Sequence, residues 1–134
     1  MIYPYPILYI QNILIGDNVF KEYKGAFTEQ YVAQQIVACN VTPKYYNNEN
    51  STNEIDFVVQ LGNVYPIEVK AEENLKSKSM NTLLNENENM EGWKFSMSTY
   101  RTFKQVVNIP LYDVDEWILM YKEKMGNPQL DRVD

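Results

Sequence analysis

The stretch Glu54-Ile-Asp-Phe-Val-Val-Gln-Leu-Gly-Asn-Val-Tyr-Pro-Ile-Glu-Val-Lys70 decides the architecture. Residues Glu54–Gln60 and Val64–Ala71 are rich in β-branched and aromatic side chains, which suit a pleated, half-buried surface. Leu61-Gly62-Asn63 between them supplies residues that tolerate positive φ, so the segment reads as a tight hairpin. With the turn centred on Gly62, Asp56 faces Glu68 and Glu54 faces Lys70. Side chains two apart share a face, so these four project from one side and Ile55, Phe57, Val59, Tyr65, Ile67 and Val69 line the other as a core surface. Two carboxylates directly opposite one another repel. Either a cation sits between them, or the charges belong to cross-strand ion pairs with the neighbouring lysine, each worth ~0.2–1 kcal/mol.

Composition narrows the chemistry. The chain has 134 residues, a length that suits one domain with its own core. It has no histidine, which excludes a histidine general base, a histidine triad and a histidine zinc site. The single cysteine, Cys39, has no disulfide partner within the chain, and a reducing cytoplasm is the expected compartment. The N-terminus lacks the basic and continuous apolar regions of a signal peptide, and no apolar run reaches membrane-span length. The net charge of -6 argues against a long electrostatic clamp on nucleic acid. It is compatible with a metal site, where the ion restores local positive charge.

Outward from the hairpin, the N-terminal side opens with an apolar, proline-containing extension over residues 1–16. A short helical piece is expected from Asp17 to Lys24, broken at Gly25. Ala26–Ala38 is the clearest helix, with Phe27, Tyr31, Val32, Ala33, Ile36 and Val37 at helical spacing. Glu29 lies on this apolar side, where a carboxylate is costly unless paired, protonated or bound to metal; the alternative is a place at the edge of the stripe. A short strand over Lys44–Asn47 and a polar loop over Asn47–Asn53 precede the hairpin.

On the C-terminal side, Glu72–Glu91 reads as a helix ending at Gly92, and Trp93–Met97 as a strand. A short helix is expected over Ser98–Val107, a strand over Ile109–Val114, and a helix capped by Asp115 running to about Tyr121. The remainder is a polar tail. The fold class is therefore α/β, a central mixed sheet flanked by helices, with the domain over residues 17–120 and the tail over 121–134. No glycine-rich phosphate loop is present.

Asp56 and Glu68 offer hard oxygen ligands suited to Mg²⁺ or Mn²⁺, with the Val69 carbonyl as a further ligand and Glu29 completing the site through water. Lys70, on the same face, can orient an attacking water or neutralise charge developing on a phosphoryl group. The implied chemistry is phosphodiester hydrolysis. Lys76 and Lys78 follow the site and are candidates for phosphate contacts, with Arg101 and Lys104 behind them; a solvated basic face is the other reading. Tyr45, Tyr46, Trp93 and Trp117 read as core or strand aromatics, with base stacking as the alternative.

The strings Tyr23-Lys-Gly-Ala-Phe-Thr-Glu-Gln-Tyr-Val32, Glu54-Ile-Asp-Phe-Val58, Pro66-Ile-Glu-Val-Lys-Ala71, Lys76-Ser-Lys-Ser79 and Asn108-Ile-Pro-Leu-Tyr112 occur here in this order. Together they resemble the PD-(D/E)XK nuclease superfamily, the restriction-endonuclease-like fold. Within it they resemble the domain of unknown function at the C-terminal end of many prokaryotic AAA+ ATPases. The resemblance runs from about Asp17 to Ile118. It implies an αβββαβ core, Asp56 and Glu68 as metal ligands, Lys70 as the catalytic lysine and Glu29 as the helix acid. It further implies a Mg²⁺- or Mn²⁺-dependent nuclease acting on DNA, an AAA+ ATPase module in cis or trans, and no membrane. The alternative is a catalytically silent nucleic-acid- or protein-binding module of such an ATPase, and self-association into a homo-oligomer also fits.

Overall fold

A computed structural model of the chain describes residues 21–45, 55–71 and 78–126. Expectations for residues 1–20, 46–54, 72–77 and 127–134 lie outside the described residues. These include the N-terminal extension, the polar loop, Glu54, Tyr46, Lys76 and the last part of the tail.

Helix α1 spans Lys21–Ala38. It passes through Gly25 without the expected break. Val32 and Ile36, four apart, are fully buried, whereas Phe27 and Val37 from the same apolar set are exposed. The helix is closed by Asn40, whose φ of 60° is left-handed. Asn40 N–H donates to the Val37 carbonyl and Val41 N–H to the Ile36 carbonyl, the paired bonds that satisfy a helix C-terminus.

Three antiparallel strands follow: β1 (Lys44–Tyr45), β2 (Phe57–Leu61) and β3 (Asn63–Lys70). The hairpin is centred as expected, with Leu61 opposite Asn63, Val59 opposite Tyr65 and Phe57 opposite Ile67. Gly62 makes the turn at φ 79°, a backbone conformation that side-chain-bearing residues rarely adopt. Pro66 carries no N–H to donate, and it sits just before β3 begins to pair with its other neighbour at Ile67.

Helix α2 covers only Lys78–Asn85, shorter than the expected run to Glu91. The asparagines of Asn85-Glu-Asn-Glu-Asn89 favour turns over helix continuation. Here Asn87 N–H bonds to the Leu84 carbonyl and Met90 N–H to the Asn87 carbonyl. The Gln105 amide then donates to the carbonyls of Asn87, Glu88 and Met90, which fixes the turn.

The next strand, β4 (Gly92–Ser96), is buried along its whole length. The helix expected over Ser98–Val107 is absent. In its place stand β5 (Arg101–Phe103) and the start of β6 (Val106–Pro110), joined by a turn at Lys104 with φ 53°. The β-branched Val106 and Val107 favour a strand there. The expected last strand over Ile109–Val114 therefore ends at Pro110, and Leu111–Asp113 form a single 3₁₀ turn. Helix α3 runs Val114–Gly126, beyond the expected end near Tyr121. Asp115 does not cap it as expected: the helix has already begun at Val114, and the Asp115 carboxylate accepts the N–H of Glu116.

Among the described residues, the strands form one six-stranded sheet in the order β1-β2-β3-β4-β6-β5. The β3–β4 and β4–β6 pairs are parallel and the rest antiparallel, so this is the mixed sheet expected. Parallel central strands are buried on both faces, which accounts for the buried run of β4. On one face, Phe57, Ile67, Trp93, Phe95 and Ile109 meet Val32 and Ile36 of α1 and Val114 and Ile118 of α3. Trp93 is the centre of an aromatic cluster. Its ring stacks on Tyr65 at 4.3 Å and meets Tyr121 and Trp117 edge-on. Its indole N–H donates to Glu91, which also accepts the Tyr121 hydroxyl. The core reading of Trp93 holds, and its ring is not open to a base. Among the described residues, no helix is long and apolar enough to cross a membrane.

Candidate active site

The hairpin register and the path of α1 bring Glu29, Asp56, Glu68 and Lys70 together. Asp56 stands one residue before β2. Its N–H donates to the Ile67 carbonyl at 2.9 Å. Its Oδ2 accepts the Val69 N–H at 2.7 Å. The regular pairing ends at Phe57 opposite Ile67, so Asp56 does not pair with Glu68 in the ladder as expected; its N–H on Ile67 and its carboxylate on the Val69 N–H hold it beside that end of the hairpin.

Burial raises the Asp56 carboxyl from its usual 3.8 to about 7. The Val69 N–H works against this, while the nearby charges of Glu29 and Glu68 and a hydrogen bond with the Glu29 side chain add to it. The Glu29 side chain therefore reaches Asp56. A shallow depression beside them is lined by Ala26, Glu29, Gln30, Ala33, Tyr45 and Phe57.

Glu68 is the most enclosed of the group at 1 % exposure. Lys70 Nζ lies 2.8 Å from its Oε1, and the lysine side chain keeps 24 % of its surface accessible. Neither Glu68 oxygen receives an aligned hydrogen bond. A buried carboxylate in that condition is costly unless something else binds it. Among the described residues, no three His, Cys, Asp or Glu side chains form a ready-made metal cluster. A cation held by Asp56 and Glu68 would complete its shell from a backbone carbonyl, such as that of Val69, and from water. Mg²⁺ characteristically keeps several waters, so the donor set fits.

The remaining candidates are scattered. Lys78 is exposed at the first position of α2, where its carbonyl accepts the Thr82 hydroxyl. Arg101 is exposed on β5 opposite Asn108. Lys104 is exposed at the following turn, over the Phe103 ring. Trp117 lies within the aromatic cluster, and Tyr45 is largely exposed against Phe57.

Sequence reasoning missed a polar group beside the acids. Lys94 on β4 is in register with Glu68 on one side and Asn108 on the other. Lys94, Ser96 and Asn108 are all buried. The Ser96 hydroxyl donates to Asn108 Oδ1, and the Asn108 amide donates to the carbonyls of Ser98 and Thr99. The signal was the alternation Trp93-Lys-Phe-Ser96, aromatic residues toward the core and polar ones toward the opposite face.

A family described as a domain of unknown function, DUF4143, matches residues 24–114, and the chain belongs to that family. No curated protein and no solved structure matches the chain.

Proposed function

We propose that this domain, as a member of its family, carries a divalent-cation-dependent phosphodiester hydrolase site of the PD-(D/E)XK type, with DNA as substrate. The observation that carries the reading is Glu68, a fully enclosed carboxylate without an aligned hydrogen bond, between Asp56 and Lys70. The order helix, three strands, helix, strand supports it.

In this reading Asp56, Glu68 and the Val69 carbonyl hold Mg²⁺ or Mn²⁺. The bound ion supplies positive charge that acidifies water and makes a phosphorus centre more electrophilic. The Val69 N–H fixes the orientation of Asp56. Glu29 hydrogen-bonds to Asp56 and so helps to orient it. Lys70, partly open to solvent, releases Glu68 to orient the attacking water or to meet charge on the phosphoryl oxygens.

A second reading keeps the domain catalytically silent, as a nucleic-acid- or protein-binding module of an AAA+ ATPase in cis or trans. It is favoured by the Lys70–Glu68 contact, which balances Glu68 without an ion.

Incubating the purified chain with DNA and Mg²⁺ or Mn²⁺ separates the two. The hydrolase reading expects cleavage that Asp56→Ala, Glu68→Ala and Lys70→Ala each reduce by roughly 100-fold or more. Undiminished cleavage in all three variants refutes it. No cleavage with either ion, together with binding to DNA or to an ATPase, supports the silent module.

A further inference from the structure

The β5–β6 hairpin carries side chains that the acid site does not use. All three residues of β5, Arg101, Thr102 and Phe103, are exposed, and so is Lys104 at the turn. Arg101 and Phe103 are two apart and share a face. Arg101 is in register with Asn108, Asn108 with Lys94, and Lys94 with Glu68, so that face is the one that carries Glu68. Three strand spacings of ~4.8 Å put the Arg101 backbone about 14 Å from that of Glu68. Phe103 keeps 66 % of its surface exposed, and the Lys104 ammonium lies 5.4 Å from its ring centroid. A single exposed apolar side chain is ordinary, but a ring set between two cations on one exposed hairpin suits a nucleotide, which has a flat base and a charged phosphate.

The local charge points the same way. Between Glu91 and Asp113 the chain has no acidic residue, although it carries 18 in all. The β6 residues that face β5, Val106, Val107 and Asn108, are uncharged. Asp113, the next acid along the chain, accepts the Tyr100 hydroxyl at 2.7 Å. Among the described residues, neither Arg101 nor Lys104 is paired with a carboxylate.

We propose that the β5–β6 hairpin is a platform for a single nucleic-acid strand, with one base stacked on Phe103 and adjoining phosphates on Arg101 and Lys104. The proposal rests on the nucleic-acid substrate of the reading above and names the form that substrate takes. In a duplex each base is covered by its neighbours, so a ring at the protein surface finds no face to stack on. An unpaired base offers its face whatever its sequence. Stacking then supplies affinity that two cations alone do not, which suits a chain of net charge -6.

The test is fluorescence anisotropy of labelled dodecathymidylate, measured in EDTA so that nothing is cleaved. The strand should bind about tenfold or more tightly than a duplex of the same length. Phe103→Ala should weaken strand binding about tenfold, and Phe103→Trp should preserve it. Phe103→Leu, which keeps apolar bulk without a π face, should behave like Phe103→Ala. Arg101→Gln and Lys104→Asn should each lower the slope of log affinity against log salt by about 0.7, the value for one phosphate of a single strand. Asparagine tolerates the left-handed φ at position 104, so that variant keeps the turn.

Strand binding in Phe103→Ala within about twofold of wild type overturns the proposal, as does a duplex bound as tightly as the single strand, or no strand binding at all. Adding Mg²⁺ or Mn²⁺ separates this failure from that of the hydrolase reading. Strand binding that depends on Phe103, with no cleavage by either ion, removes the hydrolase reading and leaves the platform. Cleavage of DNA by a Phe103→Ala variant that also binds the strand like wild type removes the platform and leaves the hydrolase reading.

Discussion

Replacing Asp56 with asparagine should stabilise the protein at pH 8 and leave its stability nearly unchanged at pH 4.5. The carboxyl is raised from its usual 3.8 to about 7, first by burial and then by Glu29 and Glu68. In that interval the folded chain keeps a proton that the unfolded chain releases. The sign follows from linkage: stability contributed by this group is present below about pH 4 and is lost as pH rises toward 8. The full difference corresponds to about 4 kcal/mol at ~1.36 kcal/mol per pKa unit. Asp56 is only partly enclosed, so solvent screening reduces the expected effect to roughly 2 kcal/mol. Asparagine keeps an oxygen for the Val69 N–H and gains a donor toward Glu29, with nothing to titrate. The assay is thermal unfolding of both proteins across pH 4.5–8 without divalent cations, read as the difference between them so that shared groups cancel. For a chain of this size the variant should melt roughly 5–10 °C higher at pH 8. A difference independent of pH, or a variant that melts lower at pH 8, would refute the account of the acids as mutually repelling.

Trp93→Ala should cost ~3–5 kcal/mol in denaturant unfolding, because a fully buried ring and its contacts with Tyr65, Tyr121 and Trp117 are lost together. A cost under ~1 kcal/mol would mean that the cluster is not central to the core. Gly92→Ala places a Cβ 2.6 Å from Met80 Sδ and 3.0 Å from Leu84 Cδ1. Met80 can yield somewhat, so a loss of ~1–3 kcal/mol is expected by the same measurement, and Met80→Ala in the same chain should recover part of it.

The acid site was legible in the sequence because its assembly depends on few choices. A glycine at the turn sets the hairpin register, and that register, which runs to Phe57 opposite Ile67, leaves Asp56 within reach of the Val69 amide. The helical period of α1 points Glu29 to the same side. Lys94 was harder to see because its meaning depends on a parallel pairing with β3, which no local pattern specifies. The β5–β6 hairpin is hidden in the sequence because its turn uses Lys104 at φ 53° where glycine or asparagine would ordinarily announce it. The shortness of α2 was legible in principle, since the alternating asparagines already argue for turns. That Gln105 gathers three carbonyls there was not, because the bond is made from the far end of another strand.

The sheet ends in two small strands, Lys44–Tyr45 and Arg101–Phe103. Each offers few unpaired amides among the described residues, and each carries a basic side chain. Such margins are poor templates for another chain, so the folded domain should resist fibril growth at high concentration. The hazard lies in the interior run Val106–Pro110, whose apolar residues meet a second molecule only after the sheet has opened. Precipitation on heating should therefore follow unfolding, never precede it.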